Sequence, residues 1–211
     1  KWGGRSVFLR RAMPPEIAFR VVSLPATVRI TSNILSSSID NALYSSVFCI
    51  SIKNGYFEMV KYLIDLSNER GKKINIHAQN EFAFCCACEK GYFEIIKFLI
   101  QLGKEDEKRI NIHAQNELAK RFACQNGYFE IVKYLIQLGK EEGKKIDIHA
   151  KNEFPFRCAC QNGHFEIIKF LIQLGKEEKN KINIHAENEI AFVSACQNGH
   201  FEIIKFLIQL G

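Results

Sequence analysis

The sequence predicts an all-α fold. We expect an α-solenoid, in which helix-turn-helix repeats stack on one another and are joined by connecting loops. Two observations predict it. The residues that follow each glycine of the repeated text have helical periodicity, with polar side chains confined to one narrow stripe. The text itself recurs every 36 residues, and its glycines are Gly55, Gly91, Gly127, Gly163 and Gly199. Self-similarity at a fixed period of this length is typical of an array in which each copy packs against its neighbours.

The second helix of each unit follows the glycine. Between residues 93 and 102 the polar positions are Glu94, Lys97 and Gln101, and every other side chain is apolar. A helix that is apolar on three sides has to lie between neighbours rather than on one surface. Gly103 follows directly, so we expect it to end the helix in a left-handed conformation.

The first helix of each unit precedes the glycine and is shorter, at about residues 82–89 in one copy. It contains Ala87 and Cys88, which are small enough for close contact between helices. The Asn126-Gly127 pair would favour a hairpin between strands. Because both flanks have helical period, we predict a tight turn between two helices instead.

These elements divide the chain into an N-terminal extension, residues 1–39, and five repeats. Between repeats the phrase INIHAQNE recurs with few changes and brings one histidine into each connecting loop. A catalytic residue is needed once, so we predict that these histidines organise the loops through hydrogen bonds; they are His77, His113, His149 and His185. The five repeats comprise about residues 40–75, 76–111, 112–147, 148–183 and 184–211.

The repeat resembles the ankyrin repeat over about residues 40–211. Asparagine replaces the turn glycine of that family, which suits a left-handed position. Proline survives only once, and about three extra residues lengthen the loop relative to the usual 33. In one copy the matching residues are Asn152 at the turn, Phe154-Pro155-Phe156-Arg157, Ala159-Cys160 and Gly163-His164, then Ile167, Leu171, Ile172, Leu174 and Gly175.

The phrase HAxNE makes the repeats look most similar to ankyrin arrays of giant viruses and protists. The resemblance implies an α-solenoid that binds a protein partner, through the loop tips and the exposed side of the first helix.

The charge distribution argues against nucleic acid as a partner. The chain carries a formal charge of +6, but residues 1–39 hold six basic side chains against one acidic residue, Glu16. The remaining 23 basic and 22 acidic side chains nearly cancel. Nucleic-acid binding needs a concentrated basic face. No window approaches 18 consecutive apolar residues, so we expect no membrane partner either.

Eight cysteines and six histidines raise a metal or thiol enzyme as an alternative. Equivalent residues of stacked helices lie roughly 8–10 Å apart, too far for a disulfide or for shared zinc ligands. We therefore predict buried thiols that pack as small hydrophobic groups, with no metal and no cofactor. Free thiols indicate a reducing compartment, hence a cytoplasmic location, or the host cytosol if the protein is viral.

No nucleophile elbow, phosphate-binding glycine loop or catalytic carboxylate pair is recognisable, so the sequence predicts no enzyme. It predicts a scaffold that binds a protein on the concave face of the array. The candidate contact residues are the polar side chains of the loop tips and first helices. They are Gln79, Glu81, Glu89, Lys90, Gln115, Glu117, Gln125, Asn126, Lys151, Glu153, Gln161, Asn162, Glu187, Glu189, Gln197 and Asn198.

Four basic side chains stand out from this uniform surface: Lys120, Arg121, Lys151 and Arg157. They form either a site for an acidic partner or a solvated basic patch, and the sequence leaves both readings open. Lys120 replaces a phenylalanine found at positions 84, 156 and 192, so we expect it to weaken local packing unless its stem snorkels.

The extension contains a second functional signal. Residues 13–24, MPPEIAFRVVSL, resemble the opening of an F-box through Met13, Pro14, Glu16, Ile17, Val21 and Val22. The resemblance implies an alternative function, a substrate adaptor that recruits a ubiquitin ligase. An irregular cap explains the same segment.

The last helix, residues 201–211, repeats the interior sequence unchanged. A terminal repeat normally carries a polar outer face. We therefore expect either further repeats or a covering chain next to it.

Overall fold

The computed structural model describes residues 41–211, and over that range the chain forms ten helices and no strand. The predicted all-α repeat fold is confirmed. The extension, with its F-box-like segment 13–24, lies outside the described residues, and the adaptor hypothesis stays a prediction. The helices are α1 Asn41–Lys53, α2 Phe57–Glu69, α3 Ala78–Lys90, α4 Phe93–Glu105, α5 Ala114–Gln125, α6 Phe129–Glu141, α7 Ala150–Asn162, α8 Phe165–Glu177, α9 Ala186–Gln197 and α10 Phe201–Leu210.

The chain divides into two compact units, the first ending at Ala78 and the second beginning at Gln79. The described part of the first unit is the α1–α2 pair. Its core is apolar, with Phe48, Ile52, Val60 and Leu63 at most 1% exposed. This pair is one helix-turn-helix module of the kind that the periodicity predicts.

In the second unit the first helices α5, α7 and α9 pack side by side, and each contacts the second helix of its own repeat. The second helices are linked by edge-to-face contacts between rings of successive repeats. Phe129 and Phe170 have ring centroids 5.7 Å apart, and Phe165 and Phe206 have centroids 5.3 Å apart. The apolar sides of these helices are therefore covered by neighbouring repeats, as expected for a helix without a broad polar face.

Burial in this array depends on the repeat that follows. Ile172 of α8 is 8% exposed, whereas its equivalent in the last repeat, Ile208 of α10, is 66% exposed. The two helices have the same sequence over their first ten residues. The difference in exposure therefore comes from the neighbour and not from the helix.

The glycine of the Asn-Gly turn is needed for two reasons. Gly163 has φ +80°, which residues with a Cβ rarely adopt. A Cβ at this position would also lie 2.7 Å from the His200 ring of the next repeat. The turn thus lets the following repeat approach the backbone closely.

Gly103 does not end its helix, so that prediction was wrong. Helix α4 continues to Glu105, and Gly103 is buried inside it. A Cβ there would lie 3.0 Å from the Lys108 carbonyl oxygen and 3.1 Å from the Ile110 nitrogen, because the connecting loop folds back onto this position. The left-handed residue comes four positions later, at Glu107, and the equivalent residues are Gly71, Gly143 and Lys179.

Each first helix of the second unit is preceded by three consecutive left-handed residues. Before α7's right-handed part these are Lys151, Asn152 and Glu153, with φ of 54°, 53° and 60°. The left-handed conformation that Asn152 was expected to adopt is confirmed. In α3 the same turn comprises residues 79–81, so the right-handed helix begins at Phe82, as predicted.

We predict that Lys179→Gly raises the stability of the chain by up to about 1 kcal/mol, because a side chain in the left-handed region costs roughly 1–2 kcal/mol and the extra freedom of glycine in the unfolded chain offsets part of that. The measurement is the urea midpoint followed by circular dichroism. Lys181→Gly in the same loop is the control, since Lys181 is exposed and does not have a positive φ. An equal effect of both changes would contradict the assignment.

Candidate partner-binding surface

The left-handed turns are held by buried glutamates. Oε1 of Glu153 lies 2.8 Å from Nδ1 of His149 and accepts a hydrogen bond from the backbone N–H of Asn183, 3.1 Å away in the loop that leads to the next repeat. Glu81 accepts the equivalent bond from the N–H of Asn111 at 3.1 Å. One carboxylate thereby links its own loop to the loop that leads to the following repeat.

Three of the predicted contact residues are consequently wrong. Glu81, Glu117 and Glu153 are 5%, 8% and 6% exposed, and their carboxylates are used inside the array. Polar loop residues were expected to face solvent, whereas these side chains turn inward to satisfy loop backbone groups. Glu189, their equivalent in the last repeat, is exposed.

The histidines act in the connecting loops, as predicted. Nδ1 of His113, His149 and His185 lies 2.7, 2.8 and 2.6 Å from the carboxylate four residues later. Each of these histidines also carries a backbone N–H that bonds the side chain two residues earlier. Their regular recurrence therefore reflects a repeated structural task.

Lys120, another predicted contact residue, is not on the surface. Its side chain is fully buried, and Nζ donates a hydrogen bond to the backbone carbonyl of Asp147 in the next connecting loop. Burial lowers the pKa of Lys120, while the nearby Cys124 and Glu117 oppose that shift. The ammonium thus occupies the place that phenylalanine fills in the other repeats, and a single protein carbonyl receives its hydrogen bond.

Some exposed candidates are partly used within the array. Asn162 and Asn198 donate through their side chains to the carbonyls of Cys158 and Ser194, four residues earlier, at the ends of their helices. Asn126 does the same to Phe122 and also reaches the carbonyl of Glu89 in the preceding repeat. These asparagines cap helix ends, because the last carbonyls of a helix have no partner within it.

What remains is a row of exposed glutamines. Gln125, Gln161 and Gln197 occupy one position in successive repeats, are exposed, and make no side-chain hydrogen bond within the described chain. In the repeat before them the same position holds Glu89, whose neighbour Lys90 forms an ion pair with it at 3.1 Å. The other exposed candidates are Gln79, Gln115, Lys151, Glu187 and Glu189.

The arginines of the middle repeats share an aromatic ring. The guanidinium carbon of Arg121 lies 4.6 Å from the centroid of Phe154, and that of Arg157 lies 5.9 Å from the same centroid. All three side chains are half-buried. Phe154 was predicted only as part of the repeat pattern, although its place between two basic positions of stacked helices indicates a contact with both.

The thiols behave as packing groups in most repeats. Cys88, Cys124 and Cys160 are fully buried, and burial raises the pKa of Cys124 and Cys160 to about 12. Cys196 is exposed in the last repeat, so the predicted burial fails at that position. Within residues 41–211 no group of three or more metal-ligating side chains comes together.

In the same part of the chain, no helix is both long and apolar enough to cross a bilayer.

The family model described as ankyrin repeats (3 copies) matches residues 29–116, 48–147 and 120–211 of the chain. These overlapping matches cover far more than half of the sequence. No curated protein matches the chain.

We predict that Glu153→Ala destabilises the chain by about 1–3 kcal/mol, because it leaves the Asn183 N–H without its acceptor and releases the left-handed turn. Unfolding in urea at pH 7 measures the loss. Glu189→Ala is a matched control, since Glu189 occupies the same position in the last repeat but is exposed and accepts no backbone N–H of another loop within the described chain. Equal losses in the two variants would refute the bridging role of Glu153.

The burial of Lys120 predicts that the free energy of unfolding depends on pH in a definite direction. Because the folded protein holds the Lys120 proton less tightly than the unfolded chain, the unfolded chain binds more protons between the two pKa values. The Lys120 contribution therefore becomes more favourable to folding as pH rises toward its ordinary pKa of 10.5.

We accordingly expect the stability of the native chain relative to Lys120→Met to increase between about pH 7 and pH 10, measured by urea unfolding at each pH. Taking the difference between variants removes the contribution of the cysteines other than Cys124, whose pKa Lys120 itself lowers. The exposed Lys181, changed to methionine, provides the control, whose difference from the native chain should stay constant. A constant difference for Lys120→Met as well would show that its ammonium is not destabilised by burial.

Proposed function

Since the chain belongs to the ankyrin repeat family, we propose that it is a non-enzymatic scaffold that binds a protein partner on the concave face of its array. Ankyrin repeats are generally protein–protein interaction modules, and the family is typically non-enzymatic. Solenoids of this kind bind partners on extended concave surfaces. The partner contacts would come from the first helices and loop tips.

The observation that carries this proposal is the row formed by Gln125, Gln161 and Gln197. Each side chain is exposed at the end of a first helix, and none is engaged by another described side chain or carbonyl. An amide offers both donors and an acceptor, so three at a regular spacing can bond the backbone of a bound chain. The second helices do not offer the same row, because Gln137 and Gln173 are bonded to Glu141 and Glu177.

The mechanism is binding by shape and hydrogen bonding, with contributions spread over several repeats. Glutamine is not a typical anchor residue, and binding energy at interfaces concentrates in aromatic and arginine side chains. We therefore expect the glutamines to set the register of the partner, while other residues supply most of the affinity.

We predict that Gln125→Arg combined with Gln161→Arg lowers partner capture by about tenfold, because two bulky charges then stand where amides bond the partner. Proximity labelling in the native host, with the labelled proteins identified by mass spectrometry, measures capture. Gln137→Arg combined with Gln173→Arg is the control, with the same residue types and spacing on the second helices. If the two double variants lose capture equally, the first helices do not bind the partner. If no protein is captured above the label alone, the scaffold function is wrong.

A further inference from the structure

The middle repeats differ from the others at one surface position. Arg121 and Arg157 occupy equivalent places in successive first helices, where the flanking repeats have Cys85 and Val193. The stacked fold accepts a thiol or a small aliphatic group at this position, so it does not need arginine for packing. The two guanidinium groups therefore require another explanation.

The guanidinium groups are held in place by the fold. Nε of Arg157 donates to the carbonyl of Asn152 at 2.8 Å, and Nη2 donates to the carbonyl of Lys151 at 3.1 Å. These carbonyls belong to the left-handed turn, which aims them at the arginine. The Phe154 ring lies within 5.9 Å of both guanidinium carbons and keeps the two groups together. A guanidinium that is already ordered loses less conformational entropy when it binds a ligand.

Neither arginine is neutralised within the described part of the chain. Among residues 41–211 no carboxylate lies within ion-pair distance of Arg121 or Arg157. Nε of Arg121 is buried and has no hydrogen-bond partner. The positive charge of the two arginines acts on the nearby Cys158 thiol. Burial raises the pKa of Cys158, and the guanidinium groups of Arg157 and Arg121 oppose that rise.

We propose that Arg121, Phe154 and Arg157 form a docking site for an acidic segment of a protein partner, with one carboxylate bound by each guanidinium. We call these three residues the arginine clamp. The inference rests on the scaffold function proposed above and specifies the chemistry of the partner. Arginine binds carboxylates through paired N–H donors, and each clamp arginine has such donors left.

The Phe154 ring supplies an apolar floor for the side-chain methylenes of the acidic residues, and exposed Lys151 adds a third positive charge beside the site. A polyanionic nucleic acid fits this surface poorly. The basic and acidic side chains outside residues 1–39 nearly cancel, whereas nucleic-acid binding grows with the number of phosphates that basic side chains neutralise.

The test uses the full chain and a fluorescein-labelled peptide of alternating glycine and glutamate as the probe, with fluorescence anisotropy as the readout. We expect saturable binding that weakens between about 50 and 200 mM salt, because charge pairs at an accessible site are screened. The glutamine version of the peptide should not bind. A poly-dT oligonucleotide of equal charge that binds more tightly than the peptide would overturn the assignment to an acidic protein segment.

The decisive variant is Arg121→Gln, because Arg121 makes no hydrogen bond within the described chain, and losing only its contact with Phe154 should lower the urea midpoint little. We expect its affinity for the glutamate peptide to fall about tenfold. Arg121→Lys keeps the charge but loses the planar contact with Phe154, so it should recover part of the affinity. Lys108→Gln combined with Arg109→Gln removes two exposed charges from a connecting loop and should leave affinity nearly unchanged. Equal losses in these controls would reduce the clamp to general charge attraction and overturn the proposal.

Proximity labelling with Arg121→Gln separates this inference from the scaffold function. Loss of the labelled partner with retained folding supports the clamp. A partner that is captured equally well by Arg121→Gln refutes the clamp and leaves the scaffold function standing. Capture of no partner by the native chain removes the scaffold function, whereas peptide binding would still report the clamp.

Discussion

Much of this structure depends on a strained turn whose buried glutamate also binds the next connecting loop. Three consecutive residues with side chains adopt the left-handed conformation before each first helix of the second unit, at a cost of about 1–2 kcal/mol for each residue. Glu153 offsets part of this cost by binding both His149 and the next connecting loop. Since the carboxylate and this second donor lie in successive connecting loops, the conformation of one loop is coupled to that of the next. Stability in such an array is a property of interfaces as much as of modules.

The same turn prepares the surface that we assign to binding. Its carbonyls at Lys151 and Asn152 hold the Arg157 guanidinium, and the chain that leaves the turn places Phe154 between two arginines. An inward-facing carboxylate and an outward-facing guanidinium are thus products of one backbone conformation. This explains how nearly identical repeats can carry a local site: the shared turn sets the geometry, and a few substituted side chains supply the chemistry.

Lys120 shows the limit of reading function from residue type. It belongs to the same run of basic residues as Arg121 in the sequence, yet it is fully buried and bonded to a loop carbonyl. Successive residues of a helix point in directions about 100° apart, so one basic neighbour can face the core while the other faces the surface. The glutamates of the turns were misjudged for a related reason. A short polar loop has backbone N–H groups without a backbone partner. The glutamate side chain that accepts their hydrogen bonds is therefore buried.

The sequence by itself determined the period, the helical character of both elements, the structural role of the histidines and the small-residue packing of most thiols. All of these follow from local pattern and from repetition, which one chain displays directly. Only the packed chain shows which polar side chains face water, where each helix ends, and how closely the connecting loop approaches Gly103. Those outcomes depend on the neighbouring repeat, because the exposure of a residue is set by the segment about 36 residues away that packs against it. The 36-residue period predicts that neighbouring repeats pack together. The structure shows which atoms are in contact.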